Sequence, residues 1–187
     1  MTQTVHAQID QQLEQAIEAV TQGFKEQNSS KVQQYIHPNY GVIYWSKIGV
    51  PVNQTFLTQS KFVFPNANMS DSLKWFYQAP EKNEKPTQST LLPKMDCETW
   101  NKSGLFYKTI KTKPFSELSK INQSLYEIPN QQLQQELERI APFEQQIIEL
   151  QYVGKSRAIG DDLHLFFSKI DNKWYLSAFD NAGQCDA

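Results

Sequence analysis

Residues 162–180 read DLHLFFSKIDNKWYLSAFD. Two apolar and aromatic runs, DLHLFFSKI and KWYLSAFD, flank the polar turn Asp171, Asn172 and Lys173, and a run of this composition interrupted by turn residues predicts a β-hairpin. The preceding stretch FEQQIIELQYV, residues 143–153, predicts a third strand. Three strands, the last two joined by this polar turn, predict an antiparallel meander, and a meander buries its apolar side chains only if something packs against it.

The rest of the chain supplies what packs. Ile9, Leu13, Ala16, Ile17, Val20 and Phe24 recur at spacings of three and four, which places them on one stripe of a long amphipathic helix. In SSKVQQYIHP, Ser30 and Gln33 have capping-box spacing and Pro38 closes the segment, predicting a short second helix. YGVIYWSKIGV, rich in β-branched and aromatic residues, predicts a strand with Val42 and Tyr44 on one face and Ile43 and Trp45 on the other.

From Pro51 to Lys94 the pattern degrades, and 51–94 is expected to be an irregular insertion or loop. A helical turn is predicted to start at Ser70 or Asp71, and 80–94, with three prolines and alternating charges, reads as a surface flap. DCETWNKSGLFYKTI predicts a hairpin turning at 101–104. Pro114 suits the first turn of a helix over FSELSKI, and Leu133, Leu137 and Ile140 share a face of a second helix ending before Pro142. The whole predicts an α+β fold in a single domain, 1–187: a curved antiparallel sheet with the N-terminal helices packed on one face.

FKEQNSSKVQQYIHPNYGVIYW followed far downstream by FFSKIDNKWYLSAFD resembles the opening and the closing hairpin of the NTF2-like (ketosteroid isomerase-like) superfamily, in the manner of its bacterial members. That resemblance implies a cone-shaped domain whose sheet and helices enclose a pocket. It implies an isomerase, a dehydratase or a non-catalytic binding domain.

Composition excludes several classes. The 187 residues carry a net charge of −2, and the densest basic stretch, Lys108, Lys111 and Lys113, is too short for a phosphate-binding face, so no nucleic-acid partner is expected. No apolar run is long enough for a transmembrane segment. GKS at 154–156 lacks the glycine that a phosphate-binding loop requires six residues before Lys155, where Glu149 stands. His6, His37 and His164 are far apart and the two cysteines are 88 positions apart, so no metal motif and no cofactor is expected.

The candidate catalytic residues are His164, on a strand face with Phe166, Ser168 and Ile170, and Asp180, at the end of the face bearing Trp174, Leu176 and Ala178. An isomerase of the kind the resemblance implies needs a base and a hydrogen-bond donor such as tyrosine. The plainer reading is a satisfied strand histidine and a turn-capping aspartate. Tyr44, Tyr107, Tyr152 and Tyr175 all fall on predicted strands and suit either a ligand-binding pocket wall or a core margin. The leading expectation is a non-catalytic domain binding a small apolar ligand or a protein partner; the alternatives are a small isomerase or hydrolase-like enzyme and a dimerising scaffold, a homodimer pairing through its sheet. Cys97 and Cys185 form the one possible disulfide. Such a bond goes with a periplasmic or extracellular protein whose signal Met1 replaces, and two free thiols go with a cytoplasmic one.

Overall fold

A computed structural model describes residues 10–47, 52–64 and 78–182. Helix α1 spans Gln11–Lys25 and buries the expected stripe of Leu13, Ala16, Ile17, Val20 and Phe24. Asp10 caps it through the Gln12 N–H, and its second oxygen accepts from Lys169 Nζ at 3.1 Å and Trp174 Nε1 at 3.0 Å. One carboxylate thus starts the helix and ties it to the closing hairpin. Helix α2, Ser29–Gln33, is capped by the Asn28 side chain, which accepts from the Lys31 N–H, so the expected Ser30–Gln33 box is not the device used.

Strands β1 (Val42–Lys47), β2 (Val52–Leu57), β3 (Thr87–Gln88) and β4 (Gly104–Ile110) follow, then helices α3 (Pro114–Tyr126) and α4 (Asn130–Ile140), then β5 (Ile147–Val153), β6 (Asp162–Ile170) and β7 (Lys173–Asn181). The seven strands form one sheet in the order β2-β1-β7-β6-β5-β4-β3. The closing meander is antiparallel as expected, and its β6–β7 turn holds Asp171 and Asn172 at φ 49° and 61°, the left-handed pair that matches strand twist in a two-residue hairpin.

The N-terminal helices pack on one face as expected, two expectations are corrected, and one layer is added. The sheet is mixed, because β1 pairs with β7 in parallel and β3 with β4 in parallel. Helices cover both faces: α1 and α2 lie over Val42, Leu150, Leu165, Phe167 and Leu176, whereas α3 and the short turn 141–144 after α4 lie over Ile43, Ile147, Phe166, Ile170 and Ala178. The reason is visible in β6, where Leu163, Leu165, Phe166, Phe167 and Ile170 put apolar surface on both sides, and a strand buried twice requires two layers. Finally, 52–57 is a regular edge strand in a stretch expected to be irregular.

Residues 95–101 form a turn instead of a hairpin strand: Asp96 Oδ1 accepts the Glu98 and Thr99 N–H groups, and Cys97 sits at φ 74°. Within 80–94 only β3 is regular. The helical turn expected at Ser70 or Asp71 and the partner in the Cys97–Cys185 pairing lie outside the described residues. Among the described residues no helix is long and apolar enough to cross a membrane.

Under α1 and α2 the interior is filled by rings. Phe24 meets Phe62, Phe64 and Phe179 with centroids 6.0, 5.1 and 6.0 Å apart, and edge-on packing of this kind adds to the area the rings bury.

Candidate functional site

Polar residues are concentrated on the opposite face, beneath the start of α3. The ladder sets them in rows across the sheet. One row runs Phe106, Gln151, His164, Asp180, Trp45 and Gln54; its neighbour runs Lys108, Glu149, Phe166, Ala178, Ile43 and Phe56. Opposed residues share a face, so these side chains meet although the sequence separates them by more than a hundred positions.

Asp180 arrives there because of a bulge. Phe167 pairs with Leu176 and Phe166 with Ala178, leaving Ser177 without an opposite number. The extra residue reverses the alternation of β7: Trp174 and Leu176 face α1, whereas Ala178 and Asp180 face α3. Asp180 therefore does not share a face with Trp174 and Leu176, as strict alternation predicts. It stands beside His164.

His164 is held from both sides. Nδ1 lies 3.1 Å from Asp180 Oδ2 and Nε2 lies 2.8 Å from Glu149 Oε1, and Lys108 Nζ lies 2.8 Å from the other Glu149 oxygen. The side chains of His164, Glu149 and Asp180 are only 11, 15 and 17% exposed. Two ionised carboxylates can only accept, so both ring nitrogens carry protons and the ring is an imidazolium. Burial alone drives a histidine pKa down; here the bonds to Asp180 and Glu149 and their charges outweigh it and push the value up to about 10. Burial works against the Glu149 charge as well, and His164 and Lys108 overcome it and hold its pKa below the usual range. The chain Lys108, Glu149, His164, Asp180 alternates in sign and neutralises itself. Asp162 has no ion-pair partner among the described residues, and burial lifts its pKa to about 6.

Two open hollows flank this chain. One, of about 460 Å³, is lined by Trp45, Lys108, Lys111, Pro114, His164 and Phe166 among others; the second, of about 300 Å³, shares Trp45 and Pro114 and adds Val52, Glu117, Ile121 and Asp180. Trp45 is fixed between them. Its indole packs edge-on against Phe115 and Phe166, with centroids 5.7 and 5.0 Å away, and its Nε1 donates to Gln54 Oε1 at 2.8 Å. Gln54 Nε2 in turn donates to Ser119 Oγ and Glu136 Oε1, which connects the tryptophan to α3 and α4.

Of the residues selected from sequence, His164 and Asp180 come together and the tyrosines do not join them. Tyr107 is buried, and Tyr44 and Tyr152 pack against the α1-side core, Tyr44 stacked on Phe179 at 4.8 Å. Tyr175 lies on the α3 face but against His37, 4.8 Å away. No tyrosine lines either hollow, so neither His164 nor Asp180 has a tyrosine beside it there. Glu149 and Lys108 were missed, although a glutamate in the middle of IIELQYV is a charge on a strand that is otherwise apolar, which signals a buried partner. Among the described residues no cluster of three or more His, Cys, Asp or Glu is arranged to hold a metal ion. No family model, curated protein or solved structure matches the chain, and its functional reading is carried by this geometry.

Proposed function

We propose that the protein is a non-catalytic binding domain of the NTF2-like kind that takes a small apolar ligand in the groove over Trp45 and Phe166. The observation that carries this reading is the pairing of an open, aromatic-floored groove with a charged cluster already spent on itself. A groove with apolar walls and a few fixed polar groups is the usual form of a small-molecule site. A general base needs a free lone pair, and both His164 nitrogens are committed to carboxylates. Aromatic side chains occupy the space under α1 and α2, so the ligand is assigned to the opposite face, where the hollows are open. A Cys97–Cys185 disulfide, and with it an oxidising compartment, belongs to the same proposal.

The test is ligand-observed NMR with a panel of mono- and bicyclic aromatic compounds. Binding is expected in the wild-type protein and lost in Trp45→Ala and in Thr112→Trp, which fills the mouth of the groove from an exposed position, with circular dichroism confirming the fold of each. Binding that survives both substitutions overturns the assignment of the groove.

A further inference from the structure

The two hollows meet at Trp45 and Pro114, and their charges are opposite. The larger has Lys108, Lys111 and the His164 imidazolium against the single carboxylate of Glu149; the smaller has Glu117 and Asp180 and no basic residue. Within this set Lys108, Glu149, His164 and Asp180 cancel in a continuous chain of contacts. Lys111 and Glu117 remain. Neither has an ion-pair partner among the described residues, and each sits at the edge of its own hollow. Trp45 and Pro114 line both hollows.

We propose that the two hollows form one groove for an elongated zwitterion: a flat apolar middle lies on Trp45 and Pro114, an anionic group lies toward Lys111 and a cationic group toward Glu117. This rests on the groove being the ligand site. From Lys108 on β4 to Asp180 on β7 the sheet beneath the groove spans three strand spacings, roughly 14 Å at about 4.8 Å per strand, room for two linked rings. Lys111 and Glu117 are solvated in the free groove, so an apolar middle can bind without them, and a ligand that carries a charge at each end adds an ion pair with each.

The probe is 4′-(aminomethyl)biphenyl-4-carboxylate, compared by calorimetry with its methyl ester, which lacks the anion, and its N-acetyl derivative, which lacks the cation. The zwitterion is expected to bind about three-fold more tightly than either derivative at low salt, the scale of an exposed ion pair, and the margin should shrink at high salt. Lys111→Glu should abolish the preference over the ester and leave the preference over the acetyl compound; Glu117→Lys should do the reverse. Both residues are exposed, so neither change threatens the fold. Equal binding of all three probes, lost in Trp45→Ala, overturns the zwitterion and leaves the groove in place. No binding of any of the three overturns both.

Discussion

His164 and Asp180 face each other across the β6–β7 ladder with 3.1 Å between Nδ1 and Oδ2, and Glu149 Oε1 closes on the other ring nitrogen at 2.8 Å. An imidazole flanked by two carboxylates in a site this enclosed is a structural cation. Its charge secures Asp180 and Glu149, and through Glu149 it secures Lys108 on β4, so four neighbouring strands of the sheet are linked by one alternating chain.

Removing the ring takes the one ion-pair partner from Asp180 and leaves Glu149 with Lys108 alone. His164→Ala is expected to cost on the order of 3–5 kcal/mol, the scale for breaking a buried ion pair by deleting one partner. The Asp180→Ala, His164→Ala double variant should cost less than the sum of the two single changes, because the second removal relieves what the first left unpaired. Urea denaturation of all four proteins measures this. Strict additivity would show that the contact contributes nothing.

The pH profile carries three signatures. The His164 pKa is raised from 6.5 to about 10, so its contribution is complete below about pH 6.5 and is lost as pH rises through 10. Glu149 is lowered from 4.5, so its contribution holds above that value and is lost as pH falls below it. Asp162 runs the other way: raised from 3.8 to about 6, it costs stability above pH 6, and that cost is relieved as pH falls through 6 toward 3.8. Asp162→Asn should therefore stabilise the protein by about 1–3 kcal/mol near pH 8 and change little near pH 4. Denaturation midpoints at the two pH values decide it; an equal effect at both would rule out the titration.

Trp45 depends on Gln54 for its one polar contact. Gln54→Leu leaves the indole N–H without its acceptor and removes the donor that reaches Ser119 and Glu136, for an expected loss of about 1–3 kcal/mol. In a Trp45→Phe background the same change should cost less, since no indole N–H remains to be stranded. A double-mutant cycle by thermal unfolding tests the coupling, and a coupling of zero would show that the chain does not position the ring.

Local chemistry made much of this fold legible and left the site obscure. The α1 stripe, Pro114 at the start of α3, the faces of β1 and the closing meander all follow from periodicity and turn residues within a dozen positions. Strand β2 was hidden because VNQTFL is half polar and only half-buried at a sheet edge, where alternation weakens. The second helical layer was hidden because a strand run that is apolar on both faces does not say which helices cover which face. The site joins residues from β1, β2, β4, β5, β6 and β7, and its assembly depends on strand order and on one bulge, neither of which has a local signature. His164 and Asp180 were selected for the wrong partners.

The proposed Cys97–Cys185 disulfide is tested by thiol titration. The turn holding Cys97 is fixed by the Trp100 N–H donating at 2.9 Å to the Arg157 carbonyl, in the link between β5 and β6. That link is at the same end of the sheet as the end of β7, where Asp180 pairs with His164. Cys185 is three positions beyond Ala182, a reach of roughly 10 Å. A bond closing so long a loop would restrict the unfolded chain by at most about 4–5 kcal/mol on the chain-entropy model. Protein isolated from an oxidising compartment, denatured without reductant, is expected to show no titratable thiol; two thiols would refute the pairing.

Ser177 separates the two parts that the bulge plays. Its hydroxyl donates to the Phe166 carbonyl at 3.0 Å in a fully buried position, so Ser177→Ala removes one hydrogen bond and should cost about 1 kcal/mol while leaving the register alone. Deleting the residue is a different operation. Regular alternation would then carry from Leu176 to the end of β7, turning Asp180 into the aromatic core under α1 and Phe179 out toward α3, because a shift of one residue exchanges the faces of a strand. His164 would lose its second carboxylate, and the rings of Phe24, Phe62 and Tyr44 would lose Phe179. The deletion is therefore expected to abolish cooperative unfolding or to lower stability by more than about 4 kcal/mol, the range reserved for buried charge and core loss together. Circular dichroism with urea titration distinguishes the cases. A deletion variant as stable as Ser177→Ala would mean that β7 tolerates either register and that the bulge does not place Asp180.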